Sequence, residues 1–158
     1  DLKKRLPGKG QWSVTEVLFH INLVNGAYLR NMPSLDRLAD AQAQRDLKRS
    51  FLGKQIEKSM ALKADGGMRF KMKTPSVSDP IKAQARGHAA VENVIFREIL
   101  QDLESIKSYI EILDVKNLDA HRVATLFPIL KINGADVPFV LLEHELRHLA
   151  QAKRIVEA

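Results

Sequence analysis

The sequence of 158 residues contains no cysteine. This absence excludes disulfides, a thiolate nucleophile and cysteine-ligated zinc, so a metal ion would have to be bound by imidazole, carboxylate or water. Aromatic residues make up only 6% of the chain, and its Lys and Arg residues are spread over the whole length. A nucleic-acid-binding protein would concentrate basic residues beside aromatic ones or on one helix face. We therefore expect a mildly basic surface and no nucleic-acid partner.

Long apolar runs are missing as well. No segment approaches the roughly 18 unbroken apolar residues of a membrane span, and no signal-peptide pattern opens the chain. Apolar residues nevertheless make up 45% of the sequence, which is enough for one hydrophobic core in a chain of this length. We expect a soluble cytoplasmic protein without a membrane partner, with residues 1–158 forming a single domain.

Alternating strand patterns of useful length are absent, whereas apolar residues recur with helical spacing in three long segments. The first segment begins with the capping-box pattern S-V-T-E at residues 13–16 and ends before Pro33. The second runs from about Ile81 to Leu113, and the third begins at Asp136, the expected N-cap residue. The sequence therefore predicts an all-α fold.

Between these segments the sequence predicts a shorter polar helix near residues 35–49 and long irregular connections near 50–80 and 114–135. The last helix also carries a second apolar stripe, formed by Leu142, Leu146 and Leu149. A helix that is apolar on two sides is usually buried on two sides. We therefore expect a further helix or the second subunit of a homodimer to cover this stripe.

The segment H-E-L-R-H at residues 144–148 places His144 and His148 on one helical face, where they can bind one metal ion. The segment also matches the H-E-x-x-H motif of zinc metalloproteases, in which the Glu is the general base. Those enzymes take their third ligand from residues downstream of the motif. Here only ten residues follow His148, and the one ligand-type residue among them, Glu157, points elsewhere. The protease interpretation is therefore disfavoured, and the third ligand must come from upstream.

His20 is the expected third ligand, because it lies in the apolar stripe of the first helix. If the first and last helices run parallel, His20 and His144 reach a similar level, since each lies seven or eight residues after its cap. Burying three unpartnered imidazoles is costly, and a shared divalent ion removes that cost. Three histidines also leave a coordination position open, as in catalytic sites. Three hydrogen-bonded core histidines without a metal are the alternative.

Two segments resemble a known family. W-S-V-T-E-V-L-F-H-I at residues 12–21 resembles the W-S-x-x-E-V-L-x-H-L signature of the DinB superfamily, and H-E-L-R-H-L-A-Q at residues 144–151 resembles its closing H-x-x-R-H-x-x-Q segment. The resemblance implies an up-and-down four-helix bundle with zinc or nickel bound by His20, His144 and His148. The family's first helix precedes the Trp-Ser signature, where this sequence has only eleven residues. We therefore expect that helix to be missing from this chain or to be supplied by a partner chain.

The resemblance also implies a function. Some relatives are bacillithiol- or mycothiol-dependent S-transferases or isomerases, in which the metal activates a low-molecular-weight thiol. By this resemblance the protein would be a metal-dependent transferase or hydrolase that activates a thiol or water toward a small-molecule substrate. The alternative is a non-catalytic stress-response or binding protein with a structural metal or none.

Other residues are weighed as parts of the site. Glu145 could act as a general base, but it lies about 100° round the helix from His144, which favours a surface or supporting role. Gln151 is expected to hold a ligand ring in place. Asp102 would come near the metal and could orient a histidine if its helix runs antiparallel to the other two. Arg147 is expected to pair with a nearby acid.

Basic residues of the first long connection are a further possibility. Lys71 and Lys73, near Arg69, could receive an anionic thiol cofactor where the connection folds over the site, although a solvated loop is the simpler expectation. His88 and His121 are not expected to be ligands. His88 would lie toward the far end of its helix, and His121 lies in a loop.

Overall fold

The computed structural model describes residues 11–40, 46–64, 66–67, 70, 73–127 and 129–158. These residues form five helices: α1 (Val14–Leu29), α2 (Phe51–Met60), α3 (Pro80–Ala85), α4 (Glu92–Glu111) and α5 (Val137–Glu157). Two short strands pair in an antiparallel sheet: β1 (Arg122–Ala124) and β2 (Lys131–Asn133). The described chain is thus mostly helical, as an all-α class requires. None of its helices has the length and apolar character needed to cross a membrane.

Helix α1 begins where the capping box predicts. The Glu16 amide donates to the Ser13 hydroxyl (3.2 Å), and the Ser13 amide donates to the Glu16 carboxylate (2.7 Å). Two amides at the helix end, which would otherwise lack partners, are thereby satisfied. This local interaction fixes where the first histidine-bearing helix starts.

The prediction for residues 35–80 is wrong in two places. Within 35–49, only the 3-10 turn Leu35–Arg37 is helical among the described residues, and the chain leaves it in an extended conformation at Leu38. Within the expected irregular connection, α2 forms instead. It is capped by the Ser50 hydroxyl, which accepts a hydrogen bond from the Gly53 amide at 2.9 Å.

The long helix predicted over residues 81–113 is two helices, α3 and α4. Gly87 has a φ of 90°, a left-handed conformation that glycine adopts without a steric penalty. The Gly87 amide donates to the Gln84 carbonyl and the His88 amide donates to the Ala83 carbonyl. This pair of hydrogen bonds is the Schellman motif, which ends α3 and redirects the chain.

The start of α5 is predicted correctly and Asp136 is its N-cap residue, but the side chain does not make the expected capping hydrogen bond. Its carboxylate accepts instead from the Arg49 Nε (3.0 Å), the Ser50 amide and hydroxyl, and the Asn133 amide. We call these four residues the Asp136 cluster. The cluster joins the start of α2 to the start of α5.

The core consists of two apolar clusters along α1 and α5. Val14 and Val17 share one cluster with Ala152 and Ile155 from the end of α5. The later part of α1 shares the other cluster with residues from the start of α5. The two helices therefore run antiparallel, and the parallel orientation considered from the sequence is wrong.

The second apolar stripe of α5 is only partly covered. Leu142 packs against the core, whereas Leu146 and Leu149 are 54% and 47% exposed in the single chain. Within the described residues, no further helix covers these two side chains. The homodimer expected from this stripe stays a prediction.

Candidate metal centre

The structure brings His20 of α1 together with His144 and His148 of α5. The Nε2 atoms of His20 and His144 are 3.1 Å apart, and the ring centroids of the three pairs are 4.5–5.0 Å apart. One ring nitrogen from each histidine can be chosen so that all three lie within 4.8 Å of one another. We call these residues the imidazole cluster. Within the described part of the chain, it is the one group of His, Asp and Glu side chains arranged to hold a metal ion.

The rings meet although their helices run in opposite directions. His20 lies near the middle of α1, and the other two histidines lie near the middle of α5. Residues at the centres of two packed helices face each other whichever way the helices run. The contact predicted from the sequence is therefore present, although the parallel orientation assumed for the two helices is wrong.

Hydrogen bonds hold two of the rings with one nitrogen turned inward. The Nδ1 of His20 lies 2.6 Å from the Ser78 carbonyl, which can only accept, so this nitrogen carries the hydrogen. The Nδ1 of His148 lies 2.9 Å from the Gln151 side-chain oxygen, in the position expected for Gln151. In both rings the Nε2 lone pair is left for another partner. Metal-binding histidines are usually held in this way.

The third ring is incompletely satisfied. His144 is only 4% exposed, and its Nδ1 has no hydrogen-bond partner in the described chain. A buried polar atom without a partner is destabilising, and the described chain has three others, the Oδ1 atoms of Asn22, Asn25 and Asn117. The donor set fits a divalent ion that accepts imidazole ligands, and the nitrogen of His144 that faces His20 is Nε2.

Burial keeps all three imidazoles neutral. It lowers the pKa of His20, although the Ser78 carbonyl and the charge of Asp79 act in the opposite direction. Burial and, to a lesser extent, the neighbouring His20 lower the pKa of His148 to about 3. Burial also places the pKa of His144 well below its usual value. Metal ions bind the neutral form of imidazole, so the cluster is in its ligand form at neutral pH.

A cavity of about 360 Å³ opens beside the imidazole cluster. Trp12 covers one side of the cluster, with ring-centroid distances of 5.0 Å to His20 and 6.5 Å to His148. The apolar wall is formed by Val24, Tyr28, Met60, Leu126, Phe127 and Val140. Ligands from solvent can therefore reach the imidazole nitrogens through a largely apolar space.

Glu145 and Asp102 lie together, away from the cavity. Glu145 is buried rather than exposed, and its carboxylate accepts from the Asn25 Nδ2 at 2.7 Å. The same Asn25 side chain bonds Asp102, and burial raises the pKa of Asp102 to about 6. No described hydrogen bond joins Asp102 to an imidazole, so its expected contact with a histidine is not formed. The helix that carries Asp102, α4, runs parallel to α1. Asn22 of α1 donates to the Ile95 carbonyl near the start of α4, and Tyr109 near the end of α4 donates to the Pro33 carbonyl, which follows α1.

Arg147 does not pair with an acid among the described residues, contrary to expectation. Its guanidinium donates to the backbone carbonyls of Ser59 (3.2 Å) and Phe70 (2.5 Å). It lies between the two α5 ligands in sequence and holds the segment that follows α2 against α5. Arg147 and Lys73 both line the cavity.

The remaining predictions concern residues farther from the site. Lys71 and Arg69 lie outside the described residues. His88 is exposed in the turn after α3, and His121 is partly exposed beside β1, so neither joins the imidazole cluster. The backbone partner Ser78 was not predicted. Its sequence signal, the Asp79-Pro80 pair that starts α3, indicates a helix start but not a contact with α1.

Comparison with family models, curated proteins and solved structures gave no match to this chain. Its function is therefore argued from its own geometry.

Proposed function

We propose that this chain is a divalent-metal-binding protein in which His20, His144 and His148 hold one zinc or nickel ion. We propose further that it is a metal-dependent transferase or hydrolase acting on a small molecule. The observation that carries the proposal is the convergence of three neutral imidazoles, one with an unpartnered buried nitrogen, beside a cavity. A structural ion does not require such access, whereas a reacting one does.

The chemistry of the site is divided between the ion and the chain. A divalent ion bound there would act as a Lewis acid that lowers the pKa of a thiol or water and so creates a nucleophile. The Ser78 carbonyl and the Gln151 side chain fix two ligand rings and their tautomers. Trp12 and the apolar wall place hydrophobic surface beside the rings. No described side chain is placed as a general base, since Glu145 bonds Asn25 away from the cavity.

The DinB-like four-helix bundle is part of the same proposal. Packing of α1 against α4 and α5, and of α2 against α5, supports a bundle of these four longer helices. The small sheet and α3 would then be additions in the connections. A low-molecular-weight thiol as co-substrate also belongs to the proposal, and the size of the cavity supports it.

The first test is elemental analysis of protein purified without an affinity tag or chelator. We expect one equivalent of zinc or nickel per chain, lost in His144→Ala and kept in His88→Ala, whose histidine is exposed and distant. Absence of metal in the parent protein, even after reconstitution with either ion, would refute the proposal.

The second test separates a catalytic ion from a structural one. Metal-loaded protein is assayed for transfer of a small thiol to an electrophile and for ester hydrolysis, with His144→Ala as the control. Turnover that disappears with the ion supports the enzyme. Stoichiometric metal without turnover in either assay would favour the non-catalytic binding protein.

A further inference from the structure

We propose that the cavity binds a substrate with an anionic head group and an apolar body, and that the head group lies toward Arg147 and Lys73. The proposal deepens the proposed function, because this cavity is the one beside the imidazole cluster. Its basis is the charge of the cavity wall, which is independent of any metal.

The charges on the wall have one sign. Arg147 and Lys73 are positive, and none of the described residues that line the cavity is Asp or Glu. The nearby Asp79 is not among the lining residues, and its carboxylate accepts from the amides of Ile81 and Lys82 at the start of α3, although its charge does act on His20. Three neutral imidazoles contribute no negative charge, and a divalent ion would add positive charge. The electrostatic potential in the cavity therefore favours an anion.

The positive charge of Arg147 is not neutralised by an acidic side chain among the described residues. The residue is 6% exposed, yet its hydrogen-bond acceptors are the two uncharged carbonyls of Ser59 and Phe70. A guanidinium has five N–H donors, so three remain after these two bonds. A buried charge without a counter-charge is unfavourable, and a carboxylate, phosphate or sulfonate group on a ligand would offset that cost.

Lys73 supplies a second positive charge at the wall of the cavity. It follows three residues after Phe70, whose carbonyl is held by Arg147. Its side chain is exposed and makes no described ion pair. An exposed amine is well hydrated and adds less to affinity than a buried guanidinium, so its contribution is the smaller one.

The rest of the wall suits an apolar body. Tyr28, Met60, Leu126 and Phe127 lie along the cavity, together with the buried valines of α1 and α5. A volume of about 360 Å³ is within the range of small-molecule sites. A short aliphatic or aromatic acid fits this combination of charge and apolar surface, whereas a free inorganic anion would leave the apolar wall unused.

The test uses octanoate, its neutral isostere octanamide, and acetate. Trp12 is the only tryptophan and lines the cavity, so its fluorescence reports ligand binding directly. Titrations are made on the full chain, both metal-free and zinc-loaded. We expect octanoate to bind at least about tenfold more tightly than octanamide in the metal-free protein, which excludes simple ligation of the ion. Acetate should bind too weakly to saturate, because it lacks the apolar body.

Two variants assign the preference to residues. Arg147→Gln keeps an amide that can donate to a backbone carbonyl but removes the charge, and it should abolish the preference for octanoate over octanamide. Lys73→Gln should reduce the preference by about threefold, while the exposed Lys107→Gln on α4 should leave it unchanged. If Arg147→Gln does not fold, as judged by circular dichroism, Lys73→Gln alone carries the assignment.

Equal affinities for octanoate and octanamide in the parent protein would overturn the inference. A full preference retained in both folded variants would overturn the placement of the head group. Neither result depends on metal content, which is measured separately. Failure of the metal proposal and failure of this inference can therefore be told apart.

Discussion

Helix α5 carries two buried polar clusters that are built in opposite ways. In the Asp136 cluster, at the start of the helix, both carboxylate oxygens accept hydrogen bonds and an ion pair neutralises the charge. In the imidazole cluster, two turns further on, one nitrogen has no partner and nitrogens face one another. The first cluster is closed to further ligands, whereas the second borders a cavity.

The closure of the Asp136 cluster extends to its packing. A Cβ atom added at Gly53 would lie 2.1 Å from the Asp136 Cγ, so the backbone of α2 is in direct contact with the carboxylate. The Arg49 guanidinium also lies 4.0 Å from the centre of the Phe139 ring. Buried polar groups that are saturated and tightly packed support the fold. A buried polar group left unsaturated beside a cavity is accessible to a ligand.

The largest expected effect is on the closed cluster. Asp136→Ala removes one of the two carboxylates that pair with Arg49, the other being Glu57, and leaves the amides of Ser50 and Asn133 without their acceptor. We therefore expect a loss of about 3–5 kcal/mol in unfolding free energy. Urea denaturation measures it, with Glu157→Ala in the exposed Lys153–Glu157 pair as the matched control. A loss no larger than that of the control would break the comparison.

The second largest effect is expected from zinc, which should bind the imidazole cluster and not the Asp136 cluster. At free zinc about 100 times its Kd, we expect the parent protein to gain about 2.7 kcal/mol of stability, because only the folded chain presents the three imidazoles together. His144→Ala should lose this gain, and the folded fraction of Asp136→Ala should keep it. Thermal denaturation with and without zinc is the measurement. An equal zinc effect in His144→Ala would show that the ion binds elsewhere.

Acid should weaken the metal-free protein through the imidazole cluster. The pKa of His148 is about 3 in the folded chain and 6.5 in the unfolded chain, so only the unfolded state takes up a proton as the pH falls below 6.5. Stability is present above that pH and is lost at roughly 1.4 kcal/mol per pH unit, or about 2.7 kcal/mol down to about pH 4.5. His148→Gln should remove this share of the pH dependence, measured by urea denaturation across the range, while His20 and His144, whose pKa values burial also lowers, keep theirs. A matching change in His88→Gln would contradict the assignment.

The smallest effect concerns a third group, Asn25, Asp102 and Glu145, whose carboxylates are bonded by Asn25 and form no ion pair among the described residues. Burial raises the pKa of Asp102 from 3.8 to about 6, so the folded chain holds a proton that the unfolded chain has released. Stability therefore falls as the pH rises from about 4 to 6, and Asp102→Asn should restore about 1 kcal/mol at pH 7–8 after allowance for partial exposure. The difference should vanish near pH 4. A destabilised variant at pH 8 would show that the carboxylate is needed in its charged form.

Local signals in the sequence predicted the parts of the fold and site that depend on neighbouring residues. The capping box places the start of α1, and the spacing of His144 and His148 puts both rings on one face of α5. His20 was included because it interrupts an apolar stripe, and a polar residue in the core needs a partner. Its partner His144, 124 residues later in the sequence, was predicted by the same argument applied to α5.

The features that the sequence did not reveal depend on contacts between distant segments. Glycine is unfavourable inside a helix, but α2 requires it at position 53 because the Asp136 carboxylate of the α5 start approaches the backbone at this point. Asp136 reads as an N-cap, but residues more than 80 positions earlier occupy its oxygens. Arg147 was expected to find an acid and found two backbone carbonyls instead. The helical periodicity of a sequence does not show which distant segments come into contact.

The short helix α3 has a consequence for coordination chemistry. Six residues do not make a stable helix by themselves, and α3 is held in place by the fully buried Ala83 in the core cluster that α1 shares. The turn just before α3 presents the Ser78 carbonyl to His20 and so selects which ring nitrogen carries the hydrogen. The packing of the Ala83 methyl group against the core is thereby linked to the tautomer of His20 in α1. We expect Ala83→Gly, which removes this contact, to weaken the hydrogen bond that fixes the His20 tautomer while all three imidazoles remain in the chain.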